Sequence, residues 1–249
     1  MPSKTPEIAI IGGTGLRRLK GLEITRRMVQ KTPYGEPSGP FIVGHYGSRE
    51  VVFLARHGLR HTIPPHRINY RANIWALKEI GVSKVISVAA VGGISERMAP
   101  CTVAIPDQIV DYTWGRGHTF FEEGLSEVVH VDFTEPYSEP LRRALLEAGR
   151  RAGIEPVDGG TYATTQGPRL ETAAEIDRLE RDGCELVGMT GMPEAALARE
   201  LELEYACCAV VVNRAAGRSE GPITMTMIER NLALGMERVR RLLGEVLGG

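Results

Sequence analysis

The stretch Val85-Ile86-Ser87-Val88-Ala89-Ala90-Val91-Gly92-Gly93 sets the class of the fold. Up to Val91 it is β-branched and apolar, without the alternation of a half-exposed strand, so it reads as a strand buried on both faces. Five other short runs share this character: Ile8 to Ile11, Val51 to Ala55, Thr102 to Ile105, Leu186 to Met189 and Cys207 to Val212. Helical stretches lie between them. Ile68 to Ile80 holds good helix formers and stops at Gly81, and Pro140 to Ala152 pairs Leu141 with Leu145. Glu171 to Arg181 follows Pro168, and Pro193 to Leu201 opens with a proline suited to a first helical position. Thr224 to Leu247 carries Ile228, Leu232, Gly235, Val239, Leu243 and Val246 on one stripe, with Arg238, Arg240 and Arg241 between them. That pattern is an amphipathic closing helix. The alternation predicts an α/β fold: one domain over residues 1–249, with a twisted, mixed central sheet flanked by helices. Segments 33–40 (PYGEPSGP) and 115–124 (GRGHTFFEEG) read as the longest loops.

A chain of 249 residues suits one sizeable α/β domain, and 43% hydrophobic content is enough for its core. A formal net charge of -1 gives no reason to expect nucleic acid or an anionic membrane as a partner. No apolar run has the length of a signal peptide or a membrane span. The cysteines at 101, 184, 207 and 208 show neither CxxC spacing nor a histidine pattern, so disulfide and zinc readings are weak. Buried thiols in a reducing cytoplasm are the expectation.

Six segments at strand ends can carry chemistry. Ile10-Ile11-Gly12-Gly13-Thr14-Gly15 follows a strand directly; its glycines can turn N–H groups toward an anion, and Thr14 adds a hydroxyl. It has neither the GK[ST] of a Walker loop nor GxGxxG, and a plain tight turn is the alternative. Ala55-Arg56-His57-Gly58 is followed by Arg60, His61, His66 and Arg67. Guanidinium groups bind oxyanions in bidentate fashion, against the alternative of a solvated basic loop. Ser87 to Gly93 is small enough for a ligand to approach, or for tight packing of strand on helix. Thr164-Thr165-Gln166-Gly167-Pro168-Arg169-Leu170-Glu171-Thr172 ends at a helix start whose first turn carries Glu171, either as a helix-dipole partner or as an acceptor for a ligand N–H. Gly188-Met189-Thr190-Gly191-Met192-Pro193-Glu194 places Thr190 between strand and helix, as an anion contact or an N-cap. Val210 to Gly217 puts Asn213 at the close of an apolar strand, where it makes a turn or meets a ligand at the carboxyl end of the sheet.

Together these segments resemble the purine nucleoside phosphorylase / methylthioadenosine phosphorylase family, from the glycine loop near residue 10 to the closing helix. The stretches ARHG (55–58), INYRANIWALKEIG (68–81), HVDFTEPY (130–137), TTQGPRLET (164–172) and GMTGMPEAALARELE (188–202) carry the likeness by their order and spacing. The resemblance implies a nucleoside phosphorylase-like fold and phosphorolysis. Phosphate attacks C1′ of the ribose opposite the base, through an oxocarbenium-like transition state. It implies phosphate contacts at Thr14, Arg56, His57 and Thr190. At Ala89-Ala90 relatives often carry a hydroxyl, so here any contact comes from backbone N–H. Met189 is placed under the ribose, and His61 and His130 toward the sugar end, His130 arriving from a neighbouring subunit of a ring-shaped homotrimer. Inorganic phosphate is a co-substrate; no cofactor or metal is implied.

The base follows from two positions. The adenine-specific branch carries Asp where this chain has Asn213 and a second Asp at Ala215, whereas the 6-oxopurine branch carries the Glu and Asn matched by Glu171 and Asn213. A carboxylate accepts from the N1–H of a 6-oxopurine, and an amide donates to N7 or O6. With Leu170 beside it, this pocket reads as selecting a hypoxanthine-type base. Met225 and Ile228, at the start of the last helix, stand where the methylthio branch packs its 5′ group, or are plain helix core. An oxopurine with an apolar 5′ pocket points to S-methyl-5′-thioinosine. Inosine or guanosine is the runner-up, methylthioadenosine a further alternative, and a non-catalytic nucleoside-binding protein the rival from another class.

Overall fold

The computed structural model describes residues 6–16 and 19–248. The chain runs β1 (Ile8–Gly12), β2 (Glu23–Met28), β3 (Phe41–Tyr46), β4 (Arg49–Ala55), α1 (Tyr70–Ile80), β5 (Lys84–Gly93), β6 (Val103–Ile105), β7 (Gln108–Asp111) and α2 (Glu139–Arg151). It continues through β8 (Val157–Asp158), β9 (Thr161–Thr164), α3 (Ala173–Arg181), β10 (Leu186–Gly188), α4 (Glu194–Glu200), β11 (Glu204–Arg214) and α5 (Met225–Gly248). Among the described residues eleven strands join one mixed sheet.

Strand β5, which contains the apolar run Val85 to Val91, is the centre of that sheet. On one edge β5 pairs in parallel with β11 along its whole length. Its other edge is divided: β1 pairs in parallel with Lys84–Ser87, and β10 pairs antiparallel with Gly92 and Gly93. Between those two partners the sheet forks. Strand faces alternate as continuous burial requires. Val85, Ala89 and Val91 face one hydrophobic cluster with α1 and α4, while Ile86 and Val88 face a second with α2 and α5. In β11 the odd positions Tyr205, Cys207, Ala209 and Val211 join the first cluster and the even positions the second.

Local chemistry explains the helix ends. The Asn69 side chain accepts from the N–H of Ala72 at the start of α1, and Gly81 closes it in the left-handed conformation at φ 97°. At α3 a capping box joins Thr172 and Glu175, so the helix starts two residues later than expected and Glu171 lies before its cap. Glu175, not Glu171, is the capping carboxylate. α4 has Pro193 at its N-cap with no side-chain cap, so Thr190 is not an N-cap either. No helix among the described residues is long and apolar enough to cross a membrane.

Candidate active site

A cavity opens at the fork. It is walled by residues just beyond the carboxyl ends of β1, β4 and β10, by β5, and by the end of β11, the usual place for a ligand in an open α/β sheet. Thr14, Arg56, His57, Ala89, Ala90, Leu170, Glu171, Met189, Thr190, Asn213, Ala215 and Ile228 all line it, although they come from seven separate segments. The glycine loop is tightly held. A Cβ at Gly13 would stand 2.4 Å from the Val88 carbonyl and 2.9 Å from Nη1 of Arg56. Gly15 has a φ of 86°, and a Cβ there would meet Met236 of α5 at 2.9 Å.

Arg56 is fully buried. Its Nε and Nη2 donate to the two carboxylate oxygens of Glu194 at 2.7 and 2.8 Å. Nη2 also donates to Ser87 Oγ at 2.6 Å and Nη1 to the Val88 carbonyl at 3.1 Å. Of the five N–H groups on a guanidinium, these bonds leave one on Nη1 for anything in the cavity. The basic residue read as a bidentate anion clamp is therefore mostly committed inward. Burial works against its charge, and the Glu194 carboxylate more than restores it, so the guanidinium stays firmly protonated. Glu194 itself is buried, accepts from the Tyr205 hydroxyl at 2.8 Å, and was not singled out in the sequence. Its signal was there, as an acidic residue at the close of GMTGMPE. The rest of the basic cluster divides: Arg60 and Arg67 point to solvent.

His57 pairs its Nδ1 with the Ile63 carbonyl at 2.8 Å, which requires the proton on Nδ1 and leaves Nε2 as an acceptor. Burial, helped by the charge of Arg56, pulls its pKa down from 6.5 to about 4, so the ring is neutral at physiological pH. Folding thus excludes a proton that the unfolded chain binds. The stability tied to neutral His57 is complete above pH 6.5 and declines as pH falls through that value toward about 4. His57→Gln, which cannot titrate, is expected to flatten this limb by on the order of 3 kcal/mol. Urea denaturation of both proteins from pH 7 to 4 measures it, and parallel curves for the two would contradict it.

At the other end, the strand period would put Asn213 on the face of Val211. A bulge changes that. Val211 lies opposite Val91 but Asn213 lies opposite Gly92, with Val212 as the extra residue. The shift turns Asn213 into the cavity, where it is buried and its Nδ2 donates to the Arg214 carbonyl at 2.6 Å. One amide proton is left for other partners. Glu171 accepts from the Thr165 hydroxyl at 2.6 Å on Oε1, so Oε2 keeps its full accepting capacity. Asn213 and Glu171 thus share one cavity. Three expected residues do not line it. Met225 is 65% exposed at the head of α5, so it is neither core nor pocket wall; Ile223 takes its place beside Ile228. His130 is exposed on the segment after Gly124. His61, at φ 58°, stands beside Thr14 and His57, with Nε2 3.5 Å from Thr14 Oγ1 and its ring 4.6 Å from that of His57. The four cysteines are free, and no cluster of His, Cys, Asp and Glu among the described residues could hold a metal ion.

The chain is 59% identical over 239 residues to a probable S-methyl-5′-thioinosine phosphorylase of Pseudomonas syringae pv. tomato, covering 96% of this chain and 97% of that one. It is 48% identical over 243 residues to the 6-oxopurine nucleoside phosphorylase of Pyrococcus furiosus, covering 96% and 91%. Its fold superposes on methylthioadenosine phosphorylase from Schistosoma mansoni in complex with adenine with a TM-score of 0.92 at 32% identity, covering 97% of this chain and 90% of that one. The match to the phosphorylase superfamily extends over residues 7–248, and the chain belongs to that superfamily.

Proposed function

We propose that this protein is a purine nucleoside phosphorylase that converts S-methyl-5′-thioinosine and phosphate, reversibly, to hypoxanthine and 5-methylthioribose 1-phosphate. One observation carries the base assignment: an amide and a carboxylate, Asn213 and Glu171, line the same cavity as Thr14, His57 and Thr190. Relatives named for S-methyl-5′-thioinosine and for 6-oxopurine nucleosides support it.

In this reading Thr14, Thr190, the free N–H of Arg56, Nε2 of His57 and the backbone around Ala89 and Ala90 hold phosphate. Neutral His57 accepts a phosphate O–H rather than adding charge. Phosphate oxygen forms a bond to C1′ as the C1′–N9 bond breaks, and the purine leaves with the electron pair. Asn213 donates to N7, where that charge collects, so its bond strengthens toward the transition state. Glu171 accepts from N1–H, a hydrogen that adenine lacks. Met189 lies under the ribose, and Ile223 and Ile228 wall the 5′ group. No cofactor takes part.

The test is direct. The protein is mixed with methylthioinosine and phosphate, and hypoxanthine release is followed by absorbance. The expected order of kcat/KM is methylthioinosine above inosine, with methylthioadenosine far below. Ligand binding without phosphate-dependent base release would leave a nucleoside-binding protein instead. The exposed position of Met225 favours a second reading, since it removes one apolar side chain from the 5′ wall. A preference for inosine or guanosine over methylthioinosine would establish that reading.

His130 lies outside this chain's cavity with Val128, Val129 and Val131 exposed around it. That exposed apolar segment suits the homotrimer and the donated histidine that the family resemblance implies, and a cytoplasmic setting suits the free thiols.

A further inference from the structure

None of residues 113–117 lines the cavity, yet this segment sends Arg116 into the layer directly behind it. Nη1 of Arg116 donates to the carbonyls of Met189 and Met192 at 2.9 and 2.6 Å and reaches the Tyr70 hydroxyl at 3.2 Å. Nη2 donates to the carbonyls of Gln166 and Thr165 at 2.9 and 3.3 Å, and Nε to the Gln166 side chain at 3.1 Å. The guanidinium carbon lies 5.4 Å from the centre of the Tyr70 ring. The Tyr70 hydroxyl in turn donates to the carbonyl of Pro65, which lines the cavity. Every N–H of the fork is engaged.

The acceptors belong to the two ends of the site. Met189 to Met192 is the turn that carries Thr190, at the anion end. Thr165 and Gln166 open the loop to Glu171, at the base end, and the Thr165 hydroxyl itself fixes Glu171. The ladder between β9 and β10 closes with the Thr165 N–H on the Gly188 carbonyl at 2.8 Å. Past that bond both segments leave the sheet, and Arg116 cross-links them. Reaction requires phosphate, C1′ and N9 to be in line, so the separation of these two segments sets the attack geometry.

We propose that Arg116 is a positioning residue: it fixes the span between the Thr190 turn and the Glu171 loop, and with it the placement of phosphate against the sugar. The role rests on the phosphorylase reading. It needs a planar fork, because a lysine's single nitrogen cannot reach both segments at once.

A misplacement of about 1 Å can cost roughly 10²-fold in rate. Arg116→Ala is therefore expected to lose about 10²-fold in kcat, with smaller changes in KM for either substrate. Millimolar guanidinium chloride is expected to restore part of that kcat, whereas sodium chloride at equal ionic strength restores none. Arg116→Lys, which keeps the charge, is expected to fold as the wild type does and to recover little of the rate. Wild-type kcat in either variant, or a loss of rate that only follows the folded fraction measured by circular dichroism, overturns the role. An active wild type beside such variants removes this role alone. A wild type with no phosphate-dependent base release removes the phosphorylase reading and this role together.

Discussion

Glu194→Leu is expected to lower the unfolding free energy by about 3–5 kcal/mol and to abolish phosphorolysis nearly completely. The side chains of Arg56 and Glu194 are both fully buried. Loss of the carboxylate leaves a guanidinium without counter-charge where water does not reach, and leaves the Tyr205 hydroxyl without its acceptor. Arg56→Met is expected to cost a similar amount, because the stranded charge is then Glu194. The informative protein is the double variant, Arg56→Met with Glu194→Leu. Both charges are gone and the volume is kept, so most of the lost stability should return while activity stays absent. Chemical denaturation of the four proteins, beside their kcat/KM, gives the answer. A double variant as unstable as the sum of the two singles would show that the pair does not act as a unit. The separation of stability from activity also tests whether the last free N–H of Arg56 and its positive charge serve the anion.

The second large effect lies at the base. Asn213→Ala is expected to lower kcat on 6-oxopurine nucleosides by roughly 10²–10³-fold, the usual cost of losing a donor aimed at developing negative charge. Glu171→Ala should act differently: the N1–H contact exists in substrate and transition state alike, so KM rises more than kcat falls. Its effect on methylthioadenosine should be small, because adenine has no hydrogen at N1. Asn213→Asp should move preference toward adenine, though Ala215 still supplies no carboxylate. Kinetics on methylthioinosine and methylthioadenosine for all three variants measure these shifts. Equal losses on both bases in Glu171→Ala would mean that Glu171 shapes the loop and does not read the base.

Much of this could be read from the chain. The apolar strands announce themselves by continuous burial, and β1, β4, β5, β10 and β11 lie within a few residues of their expected bounds. β2 carries no such signal: the five residues Glu23–Arg27 of EITRRM are exposed, and the strand exists because β3 offers it an edge. β8, two residues long, is a product of tertiary pairing. The residues that line the cavity were legible where a motif sits at a strand end. Glu194 escaped because its partner is 138 residues away, and sequence spacing cannot reveal a contact of that range. Arg116 escaped because its loop has no period and its six acceptors are mostly carbonyls, which every residue possesses. The resemblance to the methylthio branch places Met225 against the 5′ group, whereas its side chain is exposed at the head of α5 and Ile223, from the chain before that helix, lines the cavity instead.

The extra residue at Val212 has a wider consequence. It lets one strand be interior scaffold as far as Val211 and a wall of the cavity at Asn213. Exchanging the amide there for an acid leaves the ladder upstream untouched, so under the proposed role of Asn213 a lineage can drift from one nucleobase to another without repacking its centre. Relatives that handle adenine on the same backbone are what such a division of labour allows.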